Sequence, residues 1–179
     1  KKFLEIMNWH LRMMPNIEGE QPLPPEGSCL LGSVNVAKFV VNPFMEDAYF
    51  DWDKYKEVVA IFTRMLDNVV EVNGLPLEGQ RHEIEYKRRH GMGYLGIGSA
   101  LSMLGDTYGS ESSIKFAGDL MRVMAVTGFE VGIELAQEKG AAPIFYDKTN
   151  HVDNKEHWVN GEYMARIWEV APQLKEKAL

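Results

Sequence analysis

The amino-acid sequence predicts a helix-rich α/β fold. Three observations carry it: a long amphipathic helix opened by Asp51, a second opened by Ser110, and a strand-like run that begins at Cys29. In chain order, Phe3, Ile6, Met7, Trp9, Leu11 and Met14 suggest a short helix stopped by Pro15, without a sharp apolar stripe. Residues 15–28 hold four prolines and two glycines, which favours an extended loop over any ladder of backbone hydrogen bonds. Residues 29–41 then read as a strand, because Val34 and Val36 alternate with polar or small residues. That strand has no obvious set of sheet partners within the chain.

Asp51 is placed to cap a helix whose apolar residues Tyr55, Val58, Val59, Phe62, Met65, Leu66 and Val69 recur at three and four, and Asn73-Gly74 with Pro76 ends it. Residues 77–89 are strongly charged and predict a helix lying on a surface or against a partner. A third helix is expected at 91–104, ending at Gly105-Asp106. Ser110 caps a fourth, with Ala117, Leu120, Met121, Met124, Val131 and Leu135 inward and a stop at Gly140 and Pro143. The stretch 144–160 is irregular, and Tyr163–Val170 forms a last amphipathic segment halted near Pro172.

A chain of 179 residues with 45% apolar and 25% charged residues can bury one substantial core, so a single domain is expected. Its net charge of -7 opposes nonspecific attraction to nucleic acid or to anionic membranes, both of which need a cationic face. No apolar run approaches the roughly 20 residues of a membrane helix. Glu5 interrupts what would be the apolar core of a signal peptide, and a cytoplasmic location is expected. Cys29 is the only cysteine, which excludes an intramolecular disulfide and a secreted disulfide scaffold.

Gly91-Met92-Gly93-Tyr94-Leu95-Gly96 matches the dinucleotide-binding fingerprint in letters. That fingerprint must follow a buried strand, and Glu85-Tyr86-Lys87-Arg88-Arg89-His90 is too charged to be one. The preferred reading is a helix whose small residues allow close packing. None of the five histidines is spaced at i, i+4, and His82-Glu83 lacks the second histidine of a zinc-protease helix, so no metal site is expected. Ser28 and Ser33 form no nucleophile elbow. Glu18 and Glu20, two apart on an extended segment, point to one side, and a shared site would raise one pKa. Residue type alone favours a solvated acidic loop instead.

The run from Asn16 to Val40, Asn16-Ile17-Glu18-Gly19-Glu20-Gln21-Pro22-Leu23 followed by Ser28-Cys29-Leu30-Leu31-Gly32-Ser33, resembles the finger loop and following strand of adenosylcobalamin-dependent ribonucleotide reductases. Further resemblance lies at Asn42-Pro43-Phe44, Phe62 to Asn68, Arg88 to Gly96, Glu138-Lys139-Gly140 and Tyr163 to Ile167. It implies a segment of that family's ten-stranded α/β barrel over residues 16–179, with residues 1–15 an unassigned leader. It further implies a ribonucleotide substrate, adenosylcobalamin as cofactor, Glu20 as general base, Asn16 as a sugar-binding residue and Cys29 as a redox cysteine. Glu18 occupies the position of the radical-bearing cysteine, and Ile17 stands where the family has proline. A carboxylate cannot replace a sulfur whose hydrogen is lost and regained as an atom. A second redox cysteine is also missing. On this resemblance the chain alone is expected to be inactive, working with a complementing chain or by self-association. The alternative is a non-catalytic helical binding module derived from the same fold, to which Glu18 would be no obstacle.

Overall fold

The computed structural model describes residues 26–146 and 159–179, the side chains of residues 162 and 163 excepted, together with the backbone of residues 14–15 and 22–23. The short helix expected before Pro15 lies outside the described residues except for Met14, and of the irregular stretch expected at 144–160 residues 147–158 lie outside them too. Strands β1 (Met14–Pro15) and β2 (Pro22–Leu23) pair antiparallel. A two-residue ladder thus exists where prolines led us to expect none.

Strand β3 spans Leu30–Asn35. It is shorter than the strand expected over 29–41, because Asn35 turns the chain: its side chain accepts a hydrogen bond from the Ala37 amide at 3.2 Å and caps a 3-10 turn over Val36–Phe39. Two short strands follow, β4 (Val40–Val41) and β5 (Tyr49–Phe50), paired antiparallel. Helix α1 (Trp52–Val72) begins as expected, the Asp51 carboxylate accepting from the Lys54 amide at 2.9 Å. Its buried stripe is Tyr55, Val59, Thr63, Leu66, Asp67 and Val70, whereas Met65, one of the recurring apolar residues, is exposed. Helix α2 (Glu78–Lys87) buries only Ile84, consistent with a charged surface helix.

The main correction concerns the glycine run. His90–Leu95 is not helical but forms strand β6, parallel to β3, in the register Leu30 with His90 through Asn35 with Leu95. The helix expected over 91–104 is confined to α3 (Ile97–Met103), after Gly96 turns the chain at φ 80°. The close packing attributed to the glycines is real, but it is made across a strand pair. Helix α4 (Glu111–Lys139) starts at Ser110, whose hydroxyl accepts from the Ser113 amide at 3.1 Å, and ends at Gly140. Leu120, Met124 and Leu135 are buried while Met121 is exposed. A 3-10 turn at Pro143–Phe145, helix α5 (Glu162–Val170) and helix α6 (Gln173–Ala178) complete the chain. Pro172 was expected to end regular structure; it instead precedes α6, because proline is tolerated where a helix starts.

One face of the β3–β6 pair packs on α1, and α1 packs along α4. The main core joins Val34, Val36, Phe39, Phe50, Tyr55, Val59, Ala100, Leu120 and Met124. Phe39, Phe50, Tyr55, Trp52 and Phe116 meet edge-on within it, with Phe50 and Phe116 centroids 5.1 Å apart. The Tyr55 hydroxyl donates to the Leu120 carbonyl at 3.3 Å, and burial, aided by Tyr94, raises its pKa to about 12. A second core, Val159, Trp168, Ala171 and Leu174, fastens α5 and α6 to α4 through Val126, Phe129 and Ile133. No closed barrel forms among the described residues; the β3–β6 sheet has two strands.

Buried Asp67 joins three elements. Its Oδ1 accepts from Arg88 Nε at 3.0 Å and Nη2 at 2.8 Å, its Oδ2 from Lys139 Nζ at 2.9 Å, and its own carbonyl from Arg88 Nη2 at 3.1 Å. Lys139 also donates to Asn68 Oδ1 at 2.6 Å, and Glu71 accepts from Arg88 at 3.0 Å. Burial pushes the Asp67 carboxyl up, but the hydrogen bonds and charges of Lys139 and Arg88 outweigh it and hold the pKa below its ordinary value.

Two expectations follow. An added Cβ at Gly32 would overlap the Phe62 ring. Gly32→Ala should therefore cost about 1–3 kcal/mol in urea denaturation, and much less in a Phe62→Ala background, a coupling that a double-mutant cycle reads directly. For Asp67 the depressed pKa belongs to the folded state. Its stabilisation is complete above the ordinary carboxylate pKa of about 3.9 and is lost as pH falls through the lower folded value. The stability difference between the wild type and Asp67→Asn should be flat above about pH 5 and shrink below about pH 4; a difference that grows on acidification would contradict the assignment.

Candidate functional site

Strands expose side chains alternately, so the β3–β6 pair has two distinct faces. Gly32 and Val34 point toward α1, where Phe62 lies over Gly32 and Val34 is buried. Cys29, Leu31 and Ser33 share the opposite face with Gly91 and Gly93. A Cβ at Gly91 would lie 3.1 Å from Leu31 Cδ2 and 4.0 Å from Cys29 Sγ, and one at Gly93 would lie 3.4 Å from Ser33 Oγ. This face is open: Leu31 is 55% and Leu95 50% exposed. Cys29 stands one residue before β3, half-buried, with its thiol 3.7 Å from the Leu30 carbonyl oxygen. The result is a thiol at the end of a shallow strip from which β6 contributes no side chain at two positions.

Beside the thiol end lies a charged group. Arg89, which precedes β6 and whose carbonyl accepts from the Leu30 amide at 3.3 Å, places Nη1 3.6 Å from Glu83 Oε2. Glu83 also accepts from Lys87 at 2.6 and 2.9 Å. Arg89 Nη1 and Ser28 Oγ are buried without a hydrogen-bond partner. Glu26, at φ 62°, lays its carboxylate against Gly79 of α2. His90 is held below its ordinary pKa by burial, with Asp67 opposing that shift and Arg88 adding to it.

Of the residues singled out by sequence, the structure places Cys29 alone. Asn16, Glu18 and Glu20 lie outside the described residues. Sequence reasoning missed the part that Gly91 and Gly93 play as the strand partners of the Cys29 face. Their spacing of two, the period of a strand, was the available signal. Among the described residues no three His, Cys, Asp or Glu side chains group as a metal site, and no helix is long and apolar enough to cross a membrane. Clefts of about 350 Å³ beside Trp168 and 330 Å³ between β3 and α1 are both open. They match the lower end of the roughly 300–1,000 Å³ that holds a drug-sized ligand. Neither fits a cofactor as large as a corrinoid.

A family model described as the ribonucleotide reductase barrel domain matches residues 13–177. The chain is 36% identical over 129 residues to a vitamin B12-dependent ribonucleoside-diphosphate reductase of Mycobacterium tuberculosis, which covers 72% of this chain and 18% of the relative. To the enzyme of the same name from Thermoplasma acidophilum it is 33% identical over 128 residues, covering 72% and 16%. To the ribonucleoside-diphosphate reductase subunit alpha of Chlamydia trachomatis it is 29% identical over 112 residues, covering 63% and 10%. The chain thus spans less than a fifth of the length of these relatives. With a helix-rich α/β segment, a parallel strand pair and a family match over nearly its whole length, the chain belongs to the ribonucleotide reductase barrel-domain family.

Proposed function

We propose that this chain supplies one segment of a ribonucleotide-reducing barrel and carries a redox thiol, Cys29, but not the radical centre. The observation that carries this reading is the placement of Cys29 on the glycine-lined open face of β3 and β6. A thiol there can meet another sulfur over an open face to which β6 adds no side chain at Gly91 and Gly93. Its contribution is half of a dithiol couple: two thiols form one disulfide and pass two electrons and two protons to the substrate, whose displaced hydroxyl leaves as water. The second thiol must come from another part of the barrel, since Cys29 is the only cysteine of this sequence. Exposed Leu31 and Leu95 on the same two-stranded sheet support a complementing segment in the working unit.

In this reading Asn16 holds the ribose by a hydrogen bond and Glu20 accepts the proton of the 3' hydroxyl, work that a carboxylate within hydrogen-bond reach can do. Glu18 stands at the position of the radical-bearing cysteine. Its carboxyl cannot give up and regain a hydrogen atom as a thiol does, so the chain by itself is inactive. The relatives named vitamin B12-dependent point to adenosylcobalamin as the family's radical source. The two clefts, beside Trp168 and between β3 and α1, are small for it.

The test is an assay of deoxyribonucleotide formation with adenosylcobalamin, a dithiol and each ribonucleoside di- and triphosphate. Neither the chain nor Glu18→Cys should give product; product from the unmodified chain would refute the argument about Glu18. A second expectation isolates the thiol. A disulfide-forming oxidant should yield intermolecular disulfide dimers that Cys29→Ser abolishes. A chain that stays monomeric and of unchanged mass under oxidant would remove Cys29 from redox chemistry.

A further inference from the structure

Strand β6 has few side chains with which to choose its own register. Its sequence, His90-Gly91-Met92-Gly93-Tyr94-Leu95, carries two glycines on the Cys29 face, while Met92 and Tyr94, both half-buried, pack on the core shared with α1. Met92 and Tyr94 favour the observed register, and the glycines add no side-chain contact that would reinforce it. A slip of one residue would exchange the two faces. Met92 or Tyr94 would then stand beside Cys29, Leu31 and Ser33, and the glycines would turn toward α1.

Three separate sequence blocks converge where that slip is opposed. Asp67 lies in Phe62 to Asn68, Arg88 opens Arg88 to Gly96, and Lys139 lies in Glu138-Lys139-Gly140. Arg88 is the left-handed residue, φ 49°, between α2 and β6, and its amide closes α2 on the Ile84 carbonyl at 2.7 Å. Its guanidinium is gripped by Asp67 through Nε and Nη2 together, a fork geometry that fixes orientation as well as distance. Two residues later β6 begins. Sliding β6 by one residue moves the chain about 3.3 Å along the strand, which breaks this grip.

We propose that Asp67 is a positioning residue: by holding Arg88 at the α2–β6 hinge it pins the register in which glycines, rather than Met92 and Tyr94, face Cys29. This does not rest on the reductase reading, because it concerns only which residues β6 presents. Lys139 provides the internal comparison. It bonds the same carboxylate from α4 but has no part in the hinge.

Amide hydrogen exchange of the full chain, followed residue by residue, tests the proposal with Asp67→Asn, Arg88→Met and Lys139→Met. In the first two, the amides of residues 91–95 should exchange about tenfold faster while those in the middle of α1 and α4 change little. In Lys139→Met the β6 amides should keep wild-type protection. If Asp67→Asn does not fold, the contrast between Arg88→Met and Lys139→Met decides. Unchanged β6 protection in Arg88→Met would overturn the proposal. So would equal loss of protection across all elements, or an equal failure of Arg88→Met and Lys139→Met to fold, since either outcome assigns the cluster to overall stability.

Discussion

The pairing of β3 with β6 is the constraint on which the rest of the molecule depends. One face of the pair must lie flat on α1, and Gly32 makes that possible by leaving room for the Phe62 ring. The other face must stay open beside Cys29, and Gly91 and Gly93 make that possible by contributing no side chain. Everything around the pair serves these two demands. The aromatic core behind α1 fixes the helix, α4 backs it, and α5 with α6 closes the far side of α4.

Electrostatics finish what packing leaves undetermined. Met92 and Tyr94 give β6 its apolar preference for one face, and the buried carboxylate gripped by a guanidinium adds an energy that depends on direction. Losing one partner of such a group leaves a buried charge uncompensated. The exposed Arg64–Glu138 pair, 2.6 Å between Nη2 and Oε2, joins α1 to α4, but solvent screening leaves it little weight.

How much of this was legible in the sequence follows from how local each signal is. Asp51 and Ser110 announce the starts of α1 and α4, because a cap acts within three residues of itself. Tyr55, Val59 and Leu66 give the buried stripe of α1 for a similar reason. Strand β6 was only faintly legible: Gly91 and Gly93 recur at the period of a strand, but glycine has low strand propensity, and the pairing that makes it a strand is with β3, about sixty residues earlier. Asp67 gave no local sign of its role, since Arg88 and Lys139 are 21 and 72 residues away. Helix α6 was hidden by Pro172, which reads as a stop from one side and as a start from the other. As to the candidate site, Cys29 was found through the family resemblance, and the open face it occupies only through the structure. Asn16, Glu18 and Glu20 remain with the resemblance, outside the described residues.

The central claim is the register that sets Gly93 opposite Ser33, and engineered cysteines read it most directly. In a Cys29→Ser background, Ser33→Cys with Gly93→Cys should form an intramolecular disulfide readily, because the Gly93 position lies within 3.4 Å of Ser33 Oγ. Ser33→Cys with Met92→Cys should not, because Met92 is on the opposite face. Efficient cross-linking of positions 33 and 92 with none between 33 and 93 would contradict the account.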